Sequence, residues 1–161
     1  AWTPADMVDI TPYTAEQYPQ LFKQRTVSVL TVAPERTFWE KATILHHEAN
    51  RPEHLLMPQR YSRHYYDLYC MAISPVKEKA FVHLDLLQKV VNFKMKFYPR
   101  AWAKYPEAVP ATLKLLPPSY RLDALWTDYT AMQNMLYGEI PSFEKIMSVI
   151  SDLENEIHAL Q

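Results

Sequence analysis

One glycine, Gly138, stands in this chain of 161 residues, beside 13 prolines. Average usage near 7% would place about 11 glycines in that length. Phosphate-cradling loops need glycine so that backbone N–H groups can approach the ligand. A P-loop, a dinucleotide fingerprint or any Gly-rich nucleotide turn is therefore excluded within these residues. If the chain handles nucleotides, it does so with side chains or with a loop from another segment. The prolines act as punctuation and divide the rest of the chain into helical stretches.

At 48% hydrophobic and 22% charged residues, the composition is that of a globular chain with one core, not of a disordered one. A formal net charge of −1 gives no global attraction to nucleic acid or to an anionic membrane, so any phosphate-binding surface must come from local clustering. The single cysteine, Cys70, excludes an internal disulfide. No signal peptide and no apolar run long enough to span a bilayer is present, which makes the cytoplasm the expected compartment. The chain starts at Ala1 without an initiator methionine, and it is expected to be a piece of something longer.

The pattern predicts a mainly α, α+β fold: a bundle of about five helices with a small N-terminal β element. Residues 1–33 read as an irregular arm with one or two short strands, near Val8 to Ile10 and over Thr26 to Val32. The second strand needs a partner from the arm or from elsewhere. Residues 34–161 read as a helical C-terminal domain, the two parts making one compact unit overall. Thr37 followed by Glu40 is a capping box that predicts a helix to about Asn50, with Phe38, Ala42, Leu45 and Ala49 as its stripe. After a loop bracketed by Pro52 and Pro58, a second helix is predicted from about Arg60 to Ala72, packing through Tyr61, Tyr65, Leu68 and Ala72. Ser74 and Pro75 open a helical region to about Tyr98, broken near Asp85, with Phe81, Leu84, Leu87, Val91 and Met95 as apolar positions. Residues 99–121 read as a proline-rich connector with at most one short helix around Trp102. Another helix follows over Leu122 to Tyr137, packing through Leu125, Trp126, Tyr129, Met132 and Leu136 and stopped by Gly138. The last starts at a Ser142 cap and buries Phe143, Ile146, Ile150, Leu153 and Ile157.

Two charges fall where packing alone would not choose them. Lys41 lies inside the apolar stripe of the first helix, where it must snorkel or meet an anion at the edge of the core. Asp67 lies one step off the buried face of the second helix, four residues from Arg63 and three from His64. With Arg60 a turn earlier and Cys70 and Met71 beside them, these groups form a ridge. Such a ridge suits a phosphorylated substrate, the arginines taking phosphate oxygens and the aspartate orienting them or accepting a proton from an attacking hydroxyl. A solvated i,i+4 ion pair and a snorkelling lysine account for the same residues. Two helices joined by a loop of about ten residues favour an antiparallel pair, which would let Lys41 and Asp67 face one cleft.

The segments ERTFWEKATILHHEANRP and PQRYSRHYYDLYCMA closely resemble the C-terminal half of the AbiEii/AbiGii-type nucleotidyltransferase toxin family. The resemblance continues more weakly through VVNFKMKFYPRAWAKY and LLPPSYRLDALWTDYTAMQNMLYGEIPSFEKI. It implies a polymerase-β-like enzyme, often encoded beside an antitoxin, that transfers a nucleotide from a nucleoside triphosphate (NTP) to an acceptor such as RNA. By that resemblance Lys41 and Asp67 are the catalytic pair, Lys41 neutralising triphosphate charge and Asp67 organising the base or the lysine. Arg60, Arg63 and His64 would be substrate-binding residues. The resemblance places the Mg2+ ligands, an Asp-x-Asp pair after a Gly-Ser or Gly-Gly turn, in an N-terminal half that these residues do not contain. It therefore implies no metal ligand here, and doubtful activity for this stretch in isolation. Many relatives carry an acid where His64 stands, which sets this chain apart.

Other features carry less. His46, His47 and His54 are close in sequence, but no cysteine or carboxylate completes a zinc set. Lys94, Lys96, Arg100 and Lys104 interleave with Phe93, Phe97, Tyr98, Trp102 and Tyr105, a mixture that suits RNA as well as it suits snorkelling lysines around a core helix. The alternative function class is a non-catalytic helical module that binds RNA or a cognate antitoxin.

Overall fold

The computed structural model describes residues 3–160; Ala1 and Trp2 of the expected arm, and Gln161, lie outside the described residues. The chain divides into two compact units, 1–34 and 35–161. In the first, β1 (Ala5–Ile10) pairs with β2 (Val27–Val32) in an antiparallel ribbon, with Ala5 opposite Val32 and Ile10 opposite Val27. The partner that the second strand requires is thus the N-terminal arm. Between the strands lie the short α1 (Tyr13–Gln17) and a 3-10 turn at Pro19–Leu21. The Ser28 hydroxyl donates to the Asp9 carboxylate, and the Thr11 and Thr26 hydroxyls meet at 2.9 Å. Alternating apolar side chains do not bury on this ribbon: Met7, Val8, Ile10, Val27, Val29 and Leu30 are all exposed.

The second unit is helical. It comprises α2 (Pro34–Ala49, whose first residue belongs to the first unit), α3 (Ser62–Ala72), α4 (Val76–Val82), α5 (Leu84–Phe97), α6 (Leu122–Met132) and α7 (Phe143–His158). Two short helices, α1 and the separate α4, accompany the five longer ones among the described residues, in keeping with the expected bundle of about five. Helix α2 begins a turn before the Thr37 capping box, because Pro34 has the fixed φ that suits a first helical residue. Glu40 consequently does not cap. It accepts from the Arg36 guanidinium at 3.0 Å. Helix α7 starts where its cap predicts, the Ser142 hydroxyl accepting from the Lys145 N–H at 3.1 Å.

The core forms where these faces converge. Trp39, Phe38 and Leu45 of α2, Leu68 of α3, and Ile146, Ile150, Leu153 and Ile157 of α7 are sealed from solvent. Helix α3 packs on both α6 and α7. The Trp39 indole donates to the Ala80 carbonyl at 3.0 Å, fixing α2 to α4. The helical region after Ser74 breaks at His83 (φ −110°, ψ 55°), two residues before the expected point. On α5 the buried positions are Leu86, Leu87, Val90 and Val91, so the stripe turns away from Met95, which is exposed. Trp126, expected in the core, is also exposed.

The connector is more ordered than its prolines suggest. It folds as four 3-10 turns, at Ala101–Ala103, Tyr105–Glu107, Pro110–Thr112 and Ser119–Arg121, and buries Ala103, Tyr105, Ala108, Leu113 and Leu115. The Glu154 carboxylate of α7 accepts the Leu115 and Leu116 N–H groups and pins the connector to that helix. Helix α6 passes into a 3-10 turn at Gln133–Met135, and Gly138 follows at φ 85°. No helix among the described residues is long and apolar enough to cross a membrane.

Candidate active site

Lys41 leaves the apolar stripe of α2 at the rim of the core, between Phe38 and Leu45, which are both fully buried. Its ammonium donates to Asp67 Oδ2 on α3 at 2.6 Å and lies 3.2 Å from His64 Nδ1. Two charges singled out on successive helices therefore meet. The lysine side chain keeps 21% of its exposure and the aspartate 38%, so the pair opens to solvent and is not sealed. His64 itself is buried, with the Tyr61 ring edge-on at 5.0 Å.

The protonation state of His64 follows from its surroundings. Burial pushes its pKa down to about 4; the Lys41 and Arg63 charges push the same way, and Asp67 opposes them. At neutral pH the imidazole is uncharged. Its Nδ1 then accepts from Lys41, and the lysine divides its protons between a carboxylate and a ring nitrogen.

The α3 ridge is shorter than the sequence implies. Helix α3 starts at Ser62, and Arg60 lies outside it with φ 61°, in the left-handed region that non-glycine residues seldom adopt. The cause is Asp128 on α6, which accepts the Arg60 N–H at 2.6 Å, the Ser62 N–H at 2.9 Å and the Ser62 hydroxyl at 2.5 Å. One carboxylate from a distant helix thus sets where α3 begins. Arg60 consequently lines a groove with Arg121 and Asp128, and does not stand in line with Arg63 and His64. Arg63 remains on α3 and is exposed.

The loop that leads into α3 is held from the same side. The Arg121 guanidinium donates to the carbonyls of Pro52, Glu53 and Leu55 at 2.8, 3.1 and 2.6 Å. Asp128 and Arg121 are the residues that sequence reasoning missed. Each acts across more than 60 positions, and no local pattern announces such a partner.

The histidines at the end of α2 serve the fold. His46 Nε2 donates to the Lys104 carbonyl at 3.1 Å, and its Nδ1 accepts from the Lys114 N–H at 3.0 Å. Both ring nitrogens are thereby engaged, and burial lowers its pKa. His47 stacks on Trp102 at 4.5 Å between ring centroids, and its pKa falls to about 3 through burial and the Arg51, Lys94 and Arg100 charges. His54 is exposed in the loop. Among the described residues no three His, Cys, Asp or Glu side chains gather as a metal-binding group. Asp67, the one carboxylate of the site, is already paired with a lysine, so these residues do not fit a divalent cation by themselves.

A lysine held by an acid at a solvent-open face, with a neutral imidazole beside it, keeps one proton free to meet an anion. No curated protein and no solved structure matches the chain. The model of the family described as nucleotidyl transferase AbiEii toxin, type IV TA (toxin–antitoxin) system, matches residues 1–149, and the chain belongs to that family.

Proposed function

We propose that this chain supplies the Lys41–Asp67 half of a nucleotidyl transfer site that moves a nucleotide from an NTP to an acceptor, with RNA as the acceptor. In that reaction the acceptor hydroxyl oxygen bonds to the α-phosphorus, the bond to the bridging oxygen breaks, and pyrophosphate leaves. The hydroxyl proton passes to water. Negative charge grows on the phosphate oxygens along this path, and a fixed cation at that point lowers the barrier. Lys41 is that cation. Asp67 is its positioning residue, and neutral His64 limits the lysine to one direction of approach.

The observation that carries the reading is the 2.6 Å Lys41–Asp67 contact on an open face of an otherwise sealed core. An ordinary snorkelling lysine would extend into water, away from the helix that packs beside it. Arg63 extends the positive surface along α3. The exposed Lys96, over the Phe97 ring at 5.3 Å, and Arg100, over the Trp102 ring at 5.8 Å, form a basic and aromatic face suited to an RNA strand. That face also supports the second reading, a helical module that binds RNA or a cognate antitoxin without catalysis.

Nucleotide incorporation into RNA by the natural full-length protein separates the two. Lys41→Ala and Asp67→Ala are expected to lower incorporation at least 100-fold with the melting temperature within a few degrees of the natural protein. Unchanged incorporation in folded variants would remove the catalytic reading and leave the binding module.

A further inference from the structure

Sequence spacing groups Lys94 with Lys96, Arg100 and Lys104, but the structure separates it from them. The other three side chains are exposed, whereas Lys94 on α5 turns inward and is half-buried. Its ammonium donates to the Glu40 carbonyl at 3.0 Å, one residue before Lys41. Among the described residues no carboxylate lies within ion-pair distance of it, although an ammonium has three protons to donate.

The charged and titratable groups within electrostatic reach of Lys94 include Glu40, Lys41 and His47 from α2 and His64 from α3. Three of these four are bases. A half-buried lysine beside a second lysine, with one neutral acceptor, is unfavourable as it stands, because burial without a counter-charge penalises the ammonium. Its pKa falls to about 7, chiefly through burial, with Lys41 acting in the same direction and Glu40 opposing. An anion reaching Lys94 would supply its missing counter-charge, and can take the remaining proton of Lys41, whose backbone neighbour Glu40 holds Lys94.

We propose that Lys94 and Lys41 together form a subsite for the terminal phosphates of a nucleoside triphosphate. The inference rests on the transfer reading above and adds the residue that holds the leaving pyrophosphate. One inward-turned ammonium and one at the solvent-open rim suit a compact terminal polyphosphate. The phosphates of an RNA strand, flanked by sugars, suit the exposed Lys96 and Arg100 face. Binding there restores full charge to Lys94, so the complex takes up a proton near neutral pH.

Calorimetric titration of the chain with inorganic tripolyphosphate tests this. At pH 7.5 the expected results are binding with proton uptake, read from heats in buffers of different ionisation enthalpy, and a loss of at least tenfold in affinity in Lys94→Met. Lys96→Met stays within twofold. Absence of tripolyphosphate binding to the natural chain, unchanged affinity in Lys94→Met, or proton uptake that survives in that variant would each overturn the subsite. Lys94→Met removes a half-buried charge and is expected to melt no lower than the natural chain, which keeps the comparison valid. In the natural full-length protein the same variant is expected to raise KM for the NTP at least tenfold and leave KM for RNA unchanged. The reverse pattern would assign Lys94 to the RNA and overturn the proposal. If Lys41→Ala abolishes transfer while Lys94→Met changes neither affinity nor KM, the subsite alone falls. If Lys41→Ala leaves transfer intact, the transfer reading falls with it.

Discussion

The helical unit contains two kinds of polar cluster, and they differ in how far protein partners use up their hydrogen-bonding capacity. Asp128 and His46 are engaged from within at both polar atoms of the side chain, and Glu154 through Oε2. Asp128 accepts three donors at the start of α3, Glu154 takes two backbone N–H groups of the connector, and both nitrogens of His46 are engaged. Lys41 and Asp67 keep spare donors and acceptors at a face that water can reach, and Lys94, turned inward, keeps spare donors. The engaged groups hold the chain's geometry. The others are left with chemistry to do, and the engaged ones place them.

That contrast can be broken at its structural end first. Asp128→Ala leaves the Arg60 and Ser62 N–H groups without a partner and removes the carboxylate that fixes a left-handed backbone. It is expected to cost about 3 kcal/mol in denaturant unfolding and to release Arg60 from its φ of 61°. A cost below about 0.5 kcal/mol would show that α3 needs no such anchor. Glu154→Ala unpairs the Leu115 and Leu116 N–H groups and is expected to cost about 2 kcal/mol, with hydrogen exchange rising first in residues 110–118.

An effect confined to acid pH comes from the histidines. In the unfolded chain His47 and His64 titrate near the usual 6.5; in the folded chain they titrate at about 3 and about 4. Between those values the unfolded state binds more protons, so stability falls as pH drops from about 6.5 toward 4 and levels off below about 3. His46 contributes in the same direction. His64→Gln and His47→Gln should each flatten this part of the stability curve, and an unchanged slope in both would contradict the burial that lowers them.

Much of this fold is readable in the chain. The apolar repeat of α7, its Ser142 cap, the strand chemistry of β2 and the stripe that isolates Lys41 are all local patterns, and local physics determines them. The misplaced features depend on distant groups. Thr37 and Glu40 have the spacing of a capping box, yet Pro34 starts α2 earlier and Arg36 occupies Glu40. Arg60 sits in helical register with Arg63, yet Asp128, 68 residues away, pulls it out. Trp126 matches the α6 periodicity, yet lies on the outer side once Leu125, Tyr129 and Met132 pack inward. Of the candidate site, periodicity singles out Lys41 and Asp67 as misfits. Lys94 looks from its neighbours like one more surface lysine, and only the packing of α5 separates it from them.

On the proposed function, Lys41 and Asp67 act on a nucleotide and do not merely join two helices. A charge-swapped double variant, Lys41→Asp with Asp67→Lys, tests it most directly, because an ion pair valued only for stability works in either orientation. The swap is expected to recover at least half of the melting temperature lost in Lys41→Asp alone, while nucleotide incorporation by the natural full-length protein stays at least 100-fold down. Recovery of incorporation together with stability would contradict that function.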